Sequence, residues 1–122
     1  MIYTLLAYVL VQYNTLFLDC TLFDRTISNS KTVTVVEYWA SWNSSHEFQE
    51  HGRLKRCNYY RVNIDDCNDI QQRNKITVVP TIVIYFNGQE HHRHEADLML
   101  QLDVDYKDIQ KEIEKIYYSK FQ

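Results

Sequence analysis

The run Val33–Trp39 restricts the fold of this chain more than any other segment. It reads Val-Thr-Val-Val-Glu-Tyr-Trp, so nearly every residue is β-branched or aromatic and polar residues do not alternate with apolar ones. This composition is typical of a strand, and the continuous hydrophobicity is typical of a strand covered on both faces. We therefore predict an α/β domain with this strand at the centre of its sheet.

The other elements are predicted before and after this strand. The pair Asn87-Gly88 favours a tight turn with positive φ, which joins the last two strands in an antiparallel hairpin. Ser44 and Glu47 form a capping-box pattern, which predicts a helix start and a short helix that ends near Gly52. The fold class is a mixed central sheet, with parallel strands and a C-terminal antiparallel hairpin, flanked by helices. Strands are expected at residues 15–20, 33–39, 58–64, 81–86 and 89–94, and helices at residues 22–27, 67–74 and from about 103 onward.

Composition limits the domain count and the kinds of partner. The chain has 122 residues, 45% of them hydrophobic, which suffices for one core, so we assign residues 1–122 to a single domain. A net charge of −3 gives no electrostatic basis for binding nucleic acid. The histidines lack the paired cysteines or carboxylate spacing of a metal site, so we expect no metal and no cofactor. The histidines considered are His46, His91, His92 and His94.

The N-terminal stretch, residues 2–18, contains no charged side chain. Residues 1–13 form an apolar extension that fits a secretory signal, a membrane anchor or a segment packed on the domain. The stretch has no basic start and no clear cleavage site, and it is short for a membrane span. A membrane is therefore expected as a partner only through this segment.

The three cysteines are Cys20, Cys57 and Cys67. Because the number is odd and no two are close in sequence, we expect no disulfide framework, which favours a cytoplasmic location over the secretory pathway. Cys67 opens a predicted helix, where the helix dipole favours a thiolate, so it is the candidate reactive thiol. The alternative is that Cys67 is passive.

Four motifs occur in the order found in thioredoxins. On these motifs the chain resembles the thioredoxin family over roughly residues 15–117. The resemblance implies the thioredoxin fold, a cis bond before Pro80, and a peptide-binding groove beside Trp42, Val79, Pro80 and Thr81. The motifs are Glu37-Tyr38-Trp39-Ala40-Ser41-Trp42, Val62-Asn63-Ile64-Asp65-Asp66-Cys67-Asn68-Asp69, Val79-Pro80-Thr81 and Phe86-Asn87-Gly88-Gln89.

The chain departs from the thioredoxin family at the positions of the catalytic cysteines. The positions of the two catalytic cysteines hold Asn43 and His46, with Ser44 and Ser45 between them. Disulfide exchange needs a thiolate as the nucleophile. We therefore predict no catalytic residue at these four positions and no activity by the family's usual route.

The resemblance also implies a buried acid on the central strand with a basic partner on the next strand. Glu37 and Arg61 occupy those positions, and a buried carboxylate needs such a partner. Because His46 replaces the second cysteine, we predict that it lies near Glu37, which would favour its charged form. The alternative is that Glu37 faces solvent at a sheet edge.

Three functions remain open at this point. The favoured one is a redox-inactive thioredoxin-like protein that binds a protein or an extended peptide in the groove beside Pro80. The second is an atypical thiol–disulfide oxidoreductase in redox homeostasis that uses Cys67. The third is a structural subunit whose groove is filled by its own residues, such as residues 1–13. An enzymatic role is not favoured, and a dimer is left open.

Overall fold

Four strands and three α-helices make up the part of the chain that this computed structural model describes, residues 16–121. Three short 3₁₀ helices lie between them, at Cys20–Leu22, Ser41–His46 and Gln49–Arg53. The predicted extension at residues 1–13 lies outside the described residues. The strands are β1 (Val33–Trp39), β2 (Cys57–Asn63), β3 (Thr81–Phe86) and β4 (Gln89–Glu95), and the helices are α1 (Phe23–Asn29), α2 (Asn68–Arg73) and α3 (Tyr106–Ser119).

The sheet is mixed and has the order β2-β1-β3-β4. Strand β1 pairs with β2 in parallel and with β3 antiparallel, so it is an interior strand of the sheet. Strands β3 and β4 form the antiparallel hairpin, and Asn87 and Gly88 between them have φ values of 53° and 77°. The predicted mixed sheet is confirmed.

Each face of the sheet carries its own hydrophobic core. Val36 and Tyr38 of β1 point into the first core, whereas Val33 and Val35 point into the second. Because alternate side chains of a strand point to opposite faces, both faces of β1 are covered by apolar cores, which explains why the strand is hydrophobic at most positions and buried throughout nearly its whole length. Helices α1 and α2 contribute to the first core and α3 to the second. Their buried residues are Phe23, Ile27, Ile70, Ile109, Ile113 and Ile116.

The predicted first strand is reduced to an isolated parallel bridge between Phe17 and Arg61. The Leu18 amide donates to the Arg61 carbonyl at 2.8 Å, and the chain then turns away from the sheet. The carboxylate of Asp19 accepts hydrogen bonds from the backbone amide and the hydroxyl of Thr21. This side-chain cap starts a 3₁₀ helix where the sequence predicted the end of a strand.

The predicted capping box is wrong. Ser44 makes no capping bond, and residues 41–53 form two 3₁₀ segments instead of an α-helix. The Glu47 carboxylate accepts a hydrogen bond from Trp39 Nε1 at 2.9 Å and lies 3.4 Å from Arg61 Nη1. These partners draw Glu47 toward the sheet and away from the helix start that the sequence pattern implied.

Within residues 16–121, no helix combines the length and apolar character needed to cross a membrane.

Candidate functional site

Asn43, at the first catalytic-cysteine position, is a buried structural junction. Its Nδ2 atom donates to the Val79 carbonyl at 3.0 Å and to the Leu100 carbonyl at 3.1 Å. Its backbone leaves helical geometry, with φ at −123°, between the two turns of its 3₁₀ segment. One amide therefore ties together the motif, the loop before β3 and the loop after β4.

His46, at the second catalytic-cysteine position, faces the same loop. Its Nδ1 atom lies 3.0 Å from the Leu100 carbonyl, and its Nε2 atom lies 3.4 Å from Gln101 Nε2. Asn43 and His46 both contact the Leu100 carbonyl, so their side chains face the same loop. Among the described residues, the hydrogen-bonding partners of Glu37 do not include His46. The structure thus does not bring His46 into the charge cluster where the sequence placed it.

The backbone carbonyl groups of Val79 and Pro80 are hydrogen-bonded within the chain itself. Val79, Pro80 and Thr81 are buried, and the Val79–Pro80 peptide bond is cis. The Val79 carbonyl accepts from Asn43, and the Pro80 carbonyl accepts from the Ala96 amide at 3.1 Å. An extended peptide that paired with these carbonyls would have to displace those bonds.

Trp42 precedes Asn43 in the chain and is 61% exposed. Leu98 and Met99, on the loop that Asn43 contacts, are also exposed. Apolar side chains therefore lie on the surface at this end of the domain.

Glu37 is fully buried and its carboxylate is saturated with donors. Arg61 Nε donates to Oε1 at 2.9 Å and the Phe48 amide donates to Oε2 at 3.0 Å. The Tyr59 hydroxyl donates to Oε1 as well. Burial and the adjacent Glu37 carboxylate raise the pKa of Tyr59 well above its usual value, so the phenol keeps the proton that it donates.

Arg61 connects this carboxylate to the rest of the cluster. Its Nη2 atom donates to the Phe48 carbonyl at 2.8 Å, and its Nη1 atom lies 3.4 Å from Glu47. Burial acts to lower the pKa of Arg61, but Glu37, Tyr59 and Glu47 act together to raise it, and the net pKa lies above its usual value. Within residues 16–121, every buried side-chain nitrogen and oxygen has a hydrogen-bond partner. The cluster therefore joins β1, β2 and the segment after the motif, and its geometry is that of a structural ion pair.

Cys20 and Cys67 form a disulfide, which corrects the expectation of unpaired cysteines and of a free thiol at Cys67. Their Cα atoms are 5.5 Å apart although 47 positions separate them in sequence. Cys20 begins the 3₁₀ helix before α1, and Cys67 is the N-cap residue of α2. Both helices pack on the first core, and this shared packing is the signal that sequence reasoning missed. Because two of the three cysteines are paired, the cysteines no longer favour a cytoplasmic location.

Cys57, the third cysteine, is free and partly buried at the start of β2. Burial raises its pKa to about 11, so the thiol is protonated and a poor nucleophile near neutral pH.

The disulfide lies in an open cleft of about 520 Å³. Phe17 and Trp39 meet edge to face at one side of it, with their ring centroids 5.1 Å apart. Cys67 is only 4% exposed, whereas Cys20 is partly exposed. The cleft therefore gives solvent access mainly to the Cys20 side of the bond. Its lining residues are Phe17, Leu18, Asp19, Cys20, Trp39, Asn63, Asp66 and Cys67.

Two of the remaining histidines meet a carboxylate on the other side of the molecule. His94 Nε2 lies 2.7 Å from Glu112 Oε2, and His92 Nδ1 lies 3.7 Å from Glu112 Oε1. In the part of the chain that the structure describes, no group of three or more His, Cys, Asp or Glu side chains is arranged so that it could hold a metal ion. We interpret these contacts as links between β4 and α3.

The architecture described above, with a proline loop ahead of β3 and helices on both faces of the sheet, is the thioredoxin fold. Solved structures of thioredoxins from two organisms share it. The Malassezia sympodialis thioredoxin superposes with a TM-score of 0.58 and 21% identity, over 78% of this chain and 85% of that one. The Plasmodium falciparum thioredoxin gives a TM-score of 0.56 and 22% identity, over 78% and 91%.

Sequence comparison identifies the family. The thioredoxin family model matches residues 14–103. The thioredoxin of Mycoplasma genitalium is 36% identical over 73 residues, which cover 55% of this chain and 72% of that protein. Thioredoxin-1 of Saccharomyces cerevisiae is 28% identical over 76 residues, covering 56% and 71%. The chain belongs to the thioredoxin family.

Replacing Asn43 tests its role as a junction. Asn43→Ala removes the side-chain donor to the Val79 carbonyl and leaves the Leu100 carbonyl with His46 Nδ1 as its side-chain partner, so we expect the free energy of unfolding to fall by about 1–3 kcal/mol. Urea denaturation measures this change. Ser44→Ala is the matched control, because Ser44 is exposed and has no side-chain hydrogen bond to the described residues. If Asn43→Ala and Ser44→Ala were equally stable, the hydrogen bonds of Asn43 would not stabilise the fold.

Proposed function

We propose that this thioredoxin-family protein carries out thiol–disulfide exchange through Cys20 and Cys67, and that the usual motif position serves as a structural junction. The carrying observation is the disulfide between these residues in an open cleft. Asn43 and His46 offer no sulfur, and both are held by the loop at Leu100. A role in redox homeostasis follows if this couple exchanges electrons with thiols.

The reaction is a two-electron transfer in two steps. A thiolate attacks Cys20 Sγ, a mixed disulfide forms, and Cys67 leaves as a thiolate that takes up a proton. A second external thiolate then attacks the sulfur that the first one contributed to the mixed disulfide. Cys20 is released as a thiolate and takes up a proton. The protein disulfide is reduced to two thiols and two external thiols are oxidised to one disulfide. Attack at Cys20 is supported by its exposure, since Cys67 is buried.

A second candidate function is protein binding at the motif end of the domain. It is supported by the exposure of Trp42, Leu98 and Met99 on neighbouring loops. A tryptophan of this kind is a common anchor of protein interfaces. The hydrogen bonds of Asn43 argue against an extended peptide beside Pro80 and favour a groove occupied by the chain itself.

Exchange at Cys20 and Cys67 can be tested with three serine variants. The wild-type protein and Cys57→Ser are expected to reduce insulin disulfides with dithiothreitol as electron donor. Cys20→Ser and Cys67→Ser are expected to lose this turnover, because either change removes one sulfur of the couple. Cys57→Ser is the matched control, because that thiol lies outside the disulfide.

Two results would overturn the assignment. One is undiminished insulin reduction by both Cys20→Ser and Cys67→Ser. The other is a wild-type protein whose disulfide stays closed in dithiothreitol under native conditions, as measured by alkylation and mass spectrometry. Either result would leave protein binding at the Trp42 surface as the better supported function.

A further inference from the structure

We propose that the cleft over the Cys20–Cys67 disulfide selects cationic thiols over anionic ones. The inference rests on the exchange function proposed above, and it names the substrate class of that site. Two acidic residues, Asp19 and Asp66, are among those that line the cleft. Lysine and arginine are absent from the eight described lining residues.

Asp19 carries a fixed negative charge next to the more exposed sulfur. Its carboxylate accepts two hydrogen bonds from Thr21, from the amide at 2.8 Å and from the hydroxyl at 2.6 Å. These bonds lower the pKa of Asp19 below its usual value, so the group is ionised at neutral pH. Since Asp19 directly precedes Cys20, its charge acts on any nucleophile that approaches that sulfur.

Asp66 is the second acidic residue at the cleft, and it is exposed. It directly precedes Cys67, and its backbone carbonyl oxygen lies 3.4 Å from Cys20 Sγ. Each sulfur of the disulfide is thus preceded in sequence by an aspartate that lines the cleft. Residues 1–15 contain no charged side chain, so they add no charged side chain to offset these carboxylates.

The nucleophile in the exchange is itself an anion, so the carboxylates oppose every attacking thiolate. A thiol with an ammonium group enters as a zwitterion, and its positive charge offsets the repulsion. A thiol with a carboxylate enters with two negative charges, so the repulsion is stronger than for a thiolate with no other charge. The aromatic rings of Phe17 and Trp39 add a surface on which an ammonium group is favourable.

Three thiols of similar size and different charge test this selectivity: cysteamine, mercaptoethanol and mercaptopropionate. Reduction of the intact protein is followed by mass spectrometry, and each second-order rate constant is referred to the thiolate concentration. At low ionic strength we expect cysteamine to react about tenfold faster than mercaptopropionate, with mercaptoethanol between them. Added salt should speed mercaptopropionate most, speed mercaptoethanol less and change the rate of cysteamine least.

Charge-neutral variants identify the source of the effect. Asp19→Asn/Asp66→Asn should remove most of the selectivity, and asparagine at position 19 can still cap the 3₁₀ helix. The control Asp103→Asn/Glu114→Gln removes two charges near α3, which packs on the other sheet face, and should keep the selectivity.

The outcomes separate this inference from the function on which it rests. Equal rates for all three thiols at every salt concentration would overturn the selectivity while leaving exchange at Cys20 and Cys67 intact. Equal loss of selectivity in both double variants would overturn the role of Asp19 and Asp66. A disulfide that none of the three thiols opens would contradict the proposed exchange itself.

Discussion

Arg61→Met is expected to lower the free energy of unfolding by about 3–5 kcal/mol, because it leaves the buried Glu37 carboxylate without its cationic partner. The two side chains are 5% and 0% exposed and lie 2.9 Å apart, so water cannot replace the lost charge. The guanidinium also donates to the Phe48 carbonyl, and that bond is lost too. The loss is a large part of the total stability of a typical domain. Urea denaturation at neutral pH measures it.

Two further variants show whether burial is the cause. Arg73→Met removes an exposed arginine that pairs with Asp24 and Asp69, and the unfolding midpoint should barely change. Glu37→Gln/Arg61→Met removes the uncompensated charge and should recover part of the stability that Arg61→Met loses. If Arg61→Met and Arg73→Met were equally stable, Glu37 would not depend on Arg61.

Reduction of the Cys20–Cys67 disulfide is expected to lower the free energy of unfolding by about 4 kcal/mol. The bond joins residues 47 positions apart, and the chain-entropy account assigns about this value to a loop of that length. Urea denaturation with and without dithiothreitol measures the difference. Folding and oxidation of the disulfide form a thermodynamic cycle, so a disulfide that stabilises the folded protein is itself favoured by folding. The reduced protein should therefore donate electrons readily.

The cysteine variants provide the controls for this second prediction. Cys57→Ser should respond to dithiothreitol as the wild-type protein does, because its disulfide is intact. Cys20→Ser should be insensitive to dithiothreitol and close in stability to the reduced wild-type protein. Equal denaturation curves for oxidised and reduced wild-type protein would show that the bond does not constrain the unfolded chain.

The sheet could be predicted from local signals. The hydrophobic run Val33–Trp39 indicates a strand with two covered faces, and Asn87-Gly88 indicates a two-residue turn. Both signals depend on residues that are adjacent in sequence. The family resemblance added the pair of Glu37 and Arg61, which are direct neighbours in the parallel register of β1 and β2.

The candidate site could be predicted only in part. The absence of cysteine at positions 43 and 46 is visible in the sequence, but the roles of Asn43 and His46 depend on the Leu100 carbonyl on a distant loop. Glu47 matched a capping-box pattern in the sequence. In the structure its carboxylate instead contacts Arg61 and Trp39, which lie on the sheet. A local pattern cannot predict a contact with a partner whose position the fold determines.

The sequence by itself determined the family, the mixed sheet and the absence of thiol chemistry at the usual motif. These follow from side-chain periodicity, turn residues and the identity of single residues. Only the tertiary structure decided that Cys20 and Cys67 are bonded and that Asn43 donates hydrogen bonds to the Val79 and Leu100 carbonyls. The physical reason is that α1 and α2 pack on one core and that the Leu100 loop folds back over the motif, which brings together atoms from distant parts of the chain.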